Sequence, residues 1–242
     1  MCIIAIKKAN VKMISKDIIK TCFDNNPDGA GYMFLQKNKV IIRKGFMTVE
    51  SLLKSLKTVK NIDIIPLILH FRIGTHGKNN QQNTHPYPIS KHVKALQLLS
   101  TTTNLGVVHN GIIDCVYPRA KINDTMEYIL TVLYPLYRLS PNFYTTDYAR
   151  QIIEATADSK FAFLDSEGVI SVVGEYELFD GIYYSNSNYK KHKTYSSKEW
   201  LTKYNANYYD EMDKYNNDSY KVQDDLDYLA TNGYNDNDND IY

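Results

Sequence analysis

The sequence predicts an α+β fold with largely antiparallel sheets. Blocks of strand-like residues alternate with blocks of helix-like residues, not strand and helix one by one. The turn signals between neighbouring strands are short enough for hairpins. Hydrophobic residues make up 43% of the 242, enough to bury a substantial core in one large domain or two small ones.

Residues 2–6, Cys-Ile-Ile-Ala-Ile, read as the first buried strand. Ser15 is placed to cap a short helix whose apolar residues are Ile18, Ile19, Cys22 and Phe23. Asn26-Pro27-Asp28-Gly29 has the chemistry of a turn. Residues 32–35 and 40–42 then form a hairpin across Gln36-Lys37-Asn38-Lys39. Thr48 caps a second helix with Leu52, Leu53 and Leu56 on its inner face. Residues 64–71 are the strongest strand signal, and a polar loop without hydrophobic period follows over 77–84.

Residues 105–109 give another strand, ending at Asn110-Gly111. Helices are expected over 125–137 and 147–157. Strands 161–164 and 169–173 flank the turn Asp165-Ser166-Glu167-Gly168, and residues 182–184 close the sheet system. The organisation predicted is a domain over residues 2–200 followed by a Tyr/Asn/Asp-rich acidic tail, 201–242, expected to be disordered. The Asn/Asp alternation at 235–240 lacks the loop glycine and distal glutamate of a calcium loop.

The net charge of +1 conceals an asymmetry. Residues 201–242 carry ten acidic and three basic side chains, against seventeen and twenty-five in 1–200. A basic body favours anionic ligands, but no RNA- or DNA-binding motif accompanies it and nucleic-acid binding is not expected. Three cysteines (Cys2, Cys22, Cys115) cannot all pair, and none has metal-site spacing, which suits a reducing compartment. No stretch approaches the roughly 20 apolar residues of a membrane span, and the first segment meets lysines too soon for a signal peptide. The expected location is cytoplasmic, with no membrane partner.

Four segments carry chemistry. Removal of Met1, which the small side chain of Cys2 should permit, would make Cys2 the N-terminus, with a thiol nucleophile and an α-amine able to serve as its base. The second segment is His70-Phe71-Arg72-Ile73-Gly74-Thr75-His76-Gly77, leading to Asn83-Thr84-His85-Pro86. The third is His109-Asn110-Gly111-Ile112-Ile113, and the fourth is Asn123-Asp124-Thr125 at a helix start. Singly each has an ordinary structural reading: a buried free thiol, a surface ion pair, a turn, a helix cap. The histidines do not present a zinc site, because no pair sits on one helical face beside a carboxylate.

Together and in this order, the segments resemble the glutaminase domain of class II glutamine amidotransferases, which are N-terminal nucleophile hydrolases. That family shows an N-terminal cysteine, His-x-Arg-x-Ala-Thr-x-Gly, Asn-x-His-Pro, His-Asn-Gly-Ile and Ser-Asp-Thr. Asn26-Pro27-Asp28-Gly29-Ala30-Gly31 is similar to its glycine-rich segment, and Tyr184-Ser185-Asn186-Ser187 lies near the end of the likeness.

The resemblance implies a four-layer αββα sandwich and hydrolysis of free glutamine through a Cys2 thioester, with no metal or cofactor. It assigns Asn110 and Gly111 to an oxyanion hole, Arg72 to the substrate α-carboxylate and Asp124 to its α-ammonium. Thr75 and His76 would shape the pocket, and residues 77–84 would form a mobile loop over it. Gly74, Ile73 and Asn123 depart from the family's usual alanine, aromatic residue and serine. About fifty polar residues remain after the domain, so the ammonia acceptor is expected on a separate synthase subunit. The rival expectations are a glutamine-binding or scaffold protein without turnover, and an amide hydrolase acting on another substrate.

Overall fold

The computed structural model describes residues 1–74 and 79–191. In chain order the strands are β1 (Ile3–Lys7), β2 (Ala30–Gln36), β3 (Lys39–Phe46), β4 (Leu67–Phe71), β5 (Tyr87–Pro88), β6 (Ser100–Thr103), β7 (Leu105–Asn110), β8 (Lys160–Asp165), β9 (Ile170–Val173), β10 (Glu177–Phe179) and β11 (Ile182–Tyr184). The helices are α1 (Lys16–Asn25), α2 (Val49–Leu56), α3 (Val93–Gln97), α4 (Asp124–Tyr128), α5 (Tyr134–Leu139) and α6 (Asp147–Ala157). One sheet has seven strands in the order β10-β11-β1-β4-β2-β3-β6, the other four in the order β5-β7-β8-β9. Every pairing is antiparallel, as the α+β reading expects.

The pleat sorts the core into three. Ile3 and Ala5 of β1, Leu67 and Leu69 of β4, and Tyr32 and Phe34 of β2 pack with Ile19, Cys22 and Phe23 of α1 and Leu52 and Leu56 of α2. The alternate residues Ile4, Ile6, Met33 and Ile68 turn the other way and meet Val108, Ala162 and Leu164 of the second sheet. Leu105, Val107, Phe161 and Phe163 face outward again, against Met126, Leu133 and Ile153. The two sheets therefore share a central core, and each has helices on its outer face.

Local chemistry explains the element boundaries. The side chains of Ser15, Thr48 and Thr146 each accept from a backbone N–H in the first turn of α1, α2 and α6. Between β2 and β3 the hairpin turns on Lys37 and Asn38, both in the left-handed region (φ 49° and 54°), as a two-residue type I′ connection requires. The helix expected over 125–137 is instead α4, a π-helical stretch Ile129–Leu133 and α5. The widened turn falls just before Pro135, which has no N–H to continue the α ladder.

One strand boundary is corrected, and several short elements are new. The strand placed at 64–71 begins only at Leu67, and Ile64 is 59% exposed. Pro66 cannot donate a ladder bond, so the apolar run before it is not strand. The short α3, β5, β6 and β10 were not anticipated; β6 is Ser-Thr-Thr-Thr, an edge strand without an apolar face, and β10 lies at the edge beyond β11, which was expected to close the sheet. The acidic tail lies outside the described residues. Cys2, Cys22 and Cys115 are free thiols, and among the described residues no helix is long and apolar enough to cross a membrane.

Truncating the central core should cost far more than removing a cap. Ile68→Ala leaves a void between two sheets that cannot collapse and is expected to lose about 2–5 kcal/mol. Thr146→Ala should lose only about 1 kcal/mol. Urea unfolding of both variants checks the ordering.

Candidate active site

The central core ends in polar residues at one edge of the sandwich. On β1 and β4 the row that contributes Ile4 and Ile68 to it continues to Cys2 and to His70 and Arg72, and on β7 the row of Val108 continues to Asn110. Register pairs Ile3 with Phe71, which sets Cys2 across from Arg72. A narrow cleft of about 20 Å³ is lined by Cys2, Arg72, Gly111 and Asp124, together with Ile73, His85, His109, Asn123 and Thr125. Residues predicted from four separate segments thus meet around one space.

Cys2 is half-buried, with its Sγ 3.4 Å from both the backbone N and O of Ile73. Its carbonyl accepts from Asn186 Nδ2 at 2.6 Å, and the carbonyl of the exposed Met1 accepts from Asn188 Nδ2 at 3.0 Å. Burial pushes the Cys2 thiol pKa up, while the Ile73 backbone bond and the Arg72 charge pull it down. The net rise means that the thiol needs a base to become a nucleophile.

Asn110 is buried at the end of β7, with its Nδ2 2.9 Å from Ser185 Oγ and its Oδ1 without a partner. Ser185 Oγ also accepts from the Ile4 backbone N–H at 2.9 Å, so its own proton is available to donate. Turning the amide through 180° keeps its shape, lets Ser185 donate to Oδ1 and leaves both Nδ2 protons unengaged. Either orientation makes one bond to Ser185 and leaves one end of the amide without a protein partner; the turned one presents a donor at the end of the central core. Gly111 follows at φ 152°, and a Cβ there would strike Ser159 Oγ, so only glycine fits where the chain leaves β7.

Asp124 opens α4. Its Oδ2 accepts from the Ile113 backbone at 3.2 Å and its Oδ1 from the Thr125 backbone at 2.8 Å. Asn123 caps the helix through Met126 N, and its Nδ2 donates to Tyr87 OH at 2.8 Å and to Asn83 O at 3.3 Å. A serine there could cap the helix but could not make those two further donations.

On the far side of the guanidinium, Arg72 Nη1 donates to Asn79 Oδ1 at 2.6 Å. Asn79 Nδ2 and the Gly74 backbone N–H both donate to the carboxylate of Asp28, each at 2.7 Å. Thr75 and His76, expected in the pocket, lie outside the described residues, as do positions 77 and 78 of the expected loop. At its far end the loop forms a short 3-10 turn, Gln81–Asn83.

Beneath the cleft His70, His85 and His109 form a buried group, with ring centroids 4.2 Å apart for His70–His85 and 6.2 Å for His85–His109. Thr125 Oγ1 sits 3.2 Å from His85 Nε2, 3.0 Å from His109 Nδ1 and 3.4 Å from Asp124 Oδ1. A hydroxyl has one proton. Given to Asp124, it leaves both imidazoles as donors to Thr125, while His70 Nε2 donates to His109 O at 2.9 Å. The ring nitrogens without partners, His70 Nδ1, His85 Nδ1 and His109 Nε2, are then bare lone pairs, and no ring N–H is stranded. Burial pushes all three imidazole pKa values down, that of His70 to about 3. Among the described residues no group of His, Cys, Asp or Glu could hold a metal.

Asp28, Asn79, Ser185, Asn186 and Thr125 lie in or beside segments that stood out in the sequence, but had no role assigned. Their roles depend on contacts across 46 to 184 positions of chain or on a shared hydroxyl, and no periodic pattern marks them. No protein-family model matches the chain, and the curated proteins contain no match to it.

The histidine group makes stability depend on pH with a definite sign. An unfolded imidazole protonates near pH 6.5, whereas these three stay neutral in the fold, so between about pH 6.5 and 4 the unfolded chain binds more protons. Stability should therefore fall as pH is lowered through that window, with uptake approaching three protons per unfolding event near pH 5. Urea midpoints from pH 7.5 to 4.5 check this, and replacing His109 with Asn should flatten the slope.

Proposed function

We propose that the chain is a class II glutamine amidotransferase domain with the N-terminal nucleophile hydrolase fold, hydrolysing free glutamine to glutamate and ammonia. The observation that carries this is the convergence of Cys2, Arg72, Gly111 and Asp124 on one cleft. A thiol, a guanidinium and a carboxylate around one space suit an amide that also bears an α-carboxylate and an α-ammonium. The sandwich of two antiparallel sheets agrees with the fold that the reading requires.

In this reading Met1 is removed and the α-amine of Cys2, with a reference pKa of roughly 7.7–8.0, takes the thiol proton. The sulfur attacks the side-chain amide carbon of glutamine, and the carbonyl π pair moves onto oxygen. Asn110 Nδ2, with the amide in its turned orientation, and the Gly111 backbone N–H hold that oxyanion. The ammonium formed on Cys2 returns its proton to the departing nitrogen, the C–N bond breaks and ammonia leaves. A water molecule, deprotonated by the same amine, then cleaves the thioester to glutamate. Arg72 grips the α-carboxylate with two parallel hydrogen bonds and Asp124 the α-ammonium, which selects the free amino acid over a glutamine within a peptide. Ammonia passes to a separate acceptor protein, and the setting is cytoplasmic.

Intact mass before and after exposure to 6-diazo-5-oxo-norleucine tests the reading. Loss of Met1 and a single adduct, absent in Cys2→Ala, are expected. Met1 retained with no adduct would sink the glutaminase and favour a binding protein that keeps the fold without turnover. Asn110→Ala should lower kcat by about 10²–10³ with KM little changed, because the oxyanion forms only beyond the ground state.

A further inference from the structure

Resting on the reading of Arg72 as the receptor for a substrate α-carboxylate, we propose that Asp28 is a positioning residue. By accepting from Asn79, it decides which end of that amide meets Arg72, and so holds the guanidinium in place. Asp28 does not line the cleft, and it acts only through its neighbours.

The argument turns on donor and acceptor polarity. A carboxylate only accepts, and that of Asp28 is engaged at both oxygens, Oδ2 by the Gly74 backbone N–H and Oδ1 by Asn79 Nδ2, each at 2.7 Å. An amide has one donor end and one acceptor end. With Nδ2 committed to Asp28, Oδ1 must point away, and it meets Arg72 Nη1 at 2.6 Å. Reversing the amide would set –NH2 against a guanidinium, donor against donor, and oxygen against the carboxylate.

The backbone makes this chain of bonds rigid at its origin. The Asp28 N–H donates to Arg72 O at 3.0 Å and the Arg72 N–H to Gly29 O at 2.8 Å. The carboxylate and the guanidinium it controls therefore spring from two segments already tied together. Gly74 keeps the space open: a Cβ there would strike Asn79 Oδ1 and lie 2.9 and 3.0 Å from the guanidinium nitrogens. The glycine at 74 and the asparagine at 79 fit each other, and alanine at 74 would force the amide out. Asn79 is exposed, so water competes for these bonds and the expected effects are moderate.

Asp28→Asn isolates the polarity. It keeps the size and leaves an oxygen for the Gly74 N–H, but offers Asn79 a donor in place of an acceptor, so the Asn79 amide must turn. Two measurements on the full chain follow: ¹⁵N NMR of the Arg72 guanidinium, and steady-state kinetics with L-glutamine and with 4-aminobutanamide, which lacks the α-carboxylate. Resolved Arg72 Nη resonances in the wild type should merge in Asp28→Asn and separate again when Asn79→Asp is added. KM for L-glutamine should rise about five- to tenfold in Asp28→Asn, with kcat and the KM for 4-aminobutanamide within about twofold. Unchanged Arg72 resonances, or an equal rise in KM for both compounds, would overturn the proposal. A wild type that turns over neither compound overturns the glutamine reading instead, and the resonances then decide the role of Asp28 alone.

Discussion

Two sheets buried against each other leave every inward side chain one of two fates: it is apolar, or its polar groups are satisfied by the protein. Most of the structure depends on that constraint. Ile4, Ile6, Met33, Ile68, Val108, Ala162 and Leu164 fill the shared space, and the same rows then deliver Cys2, His70, Arg72 and Asn110 to its edge. Because a strand alternates with a strict period of two, a slip of one residue in β1 would send Cys2 to the helix side and Ile3 into the cleft. Packing of the core and placement of the thiol are one requirement.

Where the apolar rows stop, polar residues are held by pairing rather than by water. His70, His85 and His109 remain neutral because charging an imidazole inside this core costs far more than a hydrogen bond returns. Their single N–H groups are all directed to acceptors once Thr125 turns its proton to Asp124. Buried Lys44 shows the same economy of means. Its Nζ donates to Leu96 O at 2.6 Å and Gln82 O at 3.1 Å and lies 3.8 Å from the centre of the Tyr87 ring, and burial pushes its pKa well down. That nitrogen ties β3 to α3 and to the segment before β5.

Much of the fold was legible locally. α1 and α2 announce themselves through Ser15 and Thr48 and α6 through its apolar spacing, and the β2–β3 hairpin through its turn. The misreadings are local too. The apolar run 64–71 ignored Pro66, and β6, four small polar residues, becomes a strand only because β3 offers an edge to pair with. The π-helical turn before Pro135 is the same kind of case: apolar period showed a helix, but not where its hydrogen bonds would lengthen.

The sequence by itself determined which residues are candidates for chemistry. A thiol, an arginine at a strand end, an Asn-Gly step and an Asp at a helix start are visible as types, because nucleophiles, guanidinium groups and caps have distinctive spacing and neighbours. Tertiary structure alone decided that four of them share a cleft, and how each is turned. Asn110 is held by Ser185, 75 positions away, and Arg72 by Asp28 by way of Asn79. Hydrogen-bond polarity is settled only when both partners are in place, and chain folding brings them there through burial of apolar rows that say nothing about donors and acceptors.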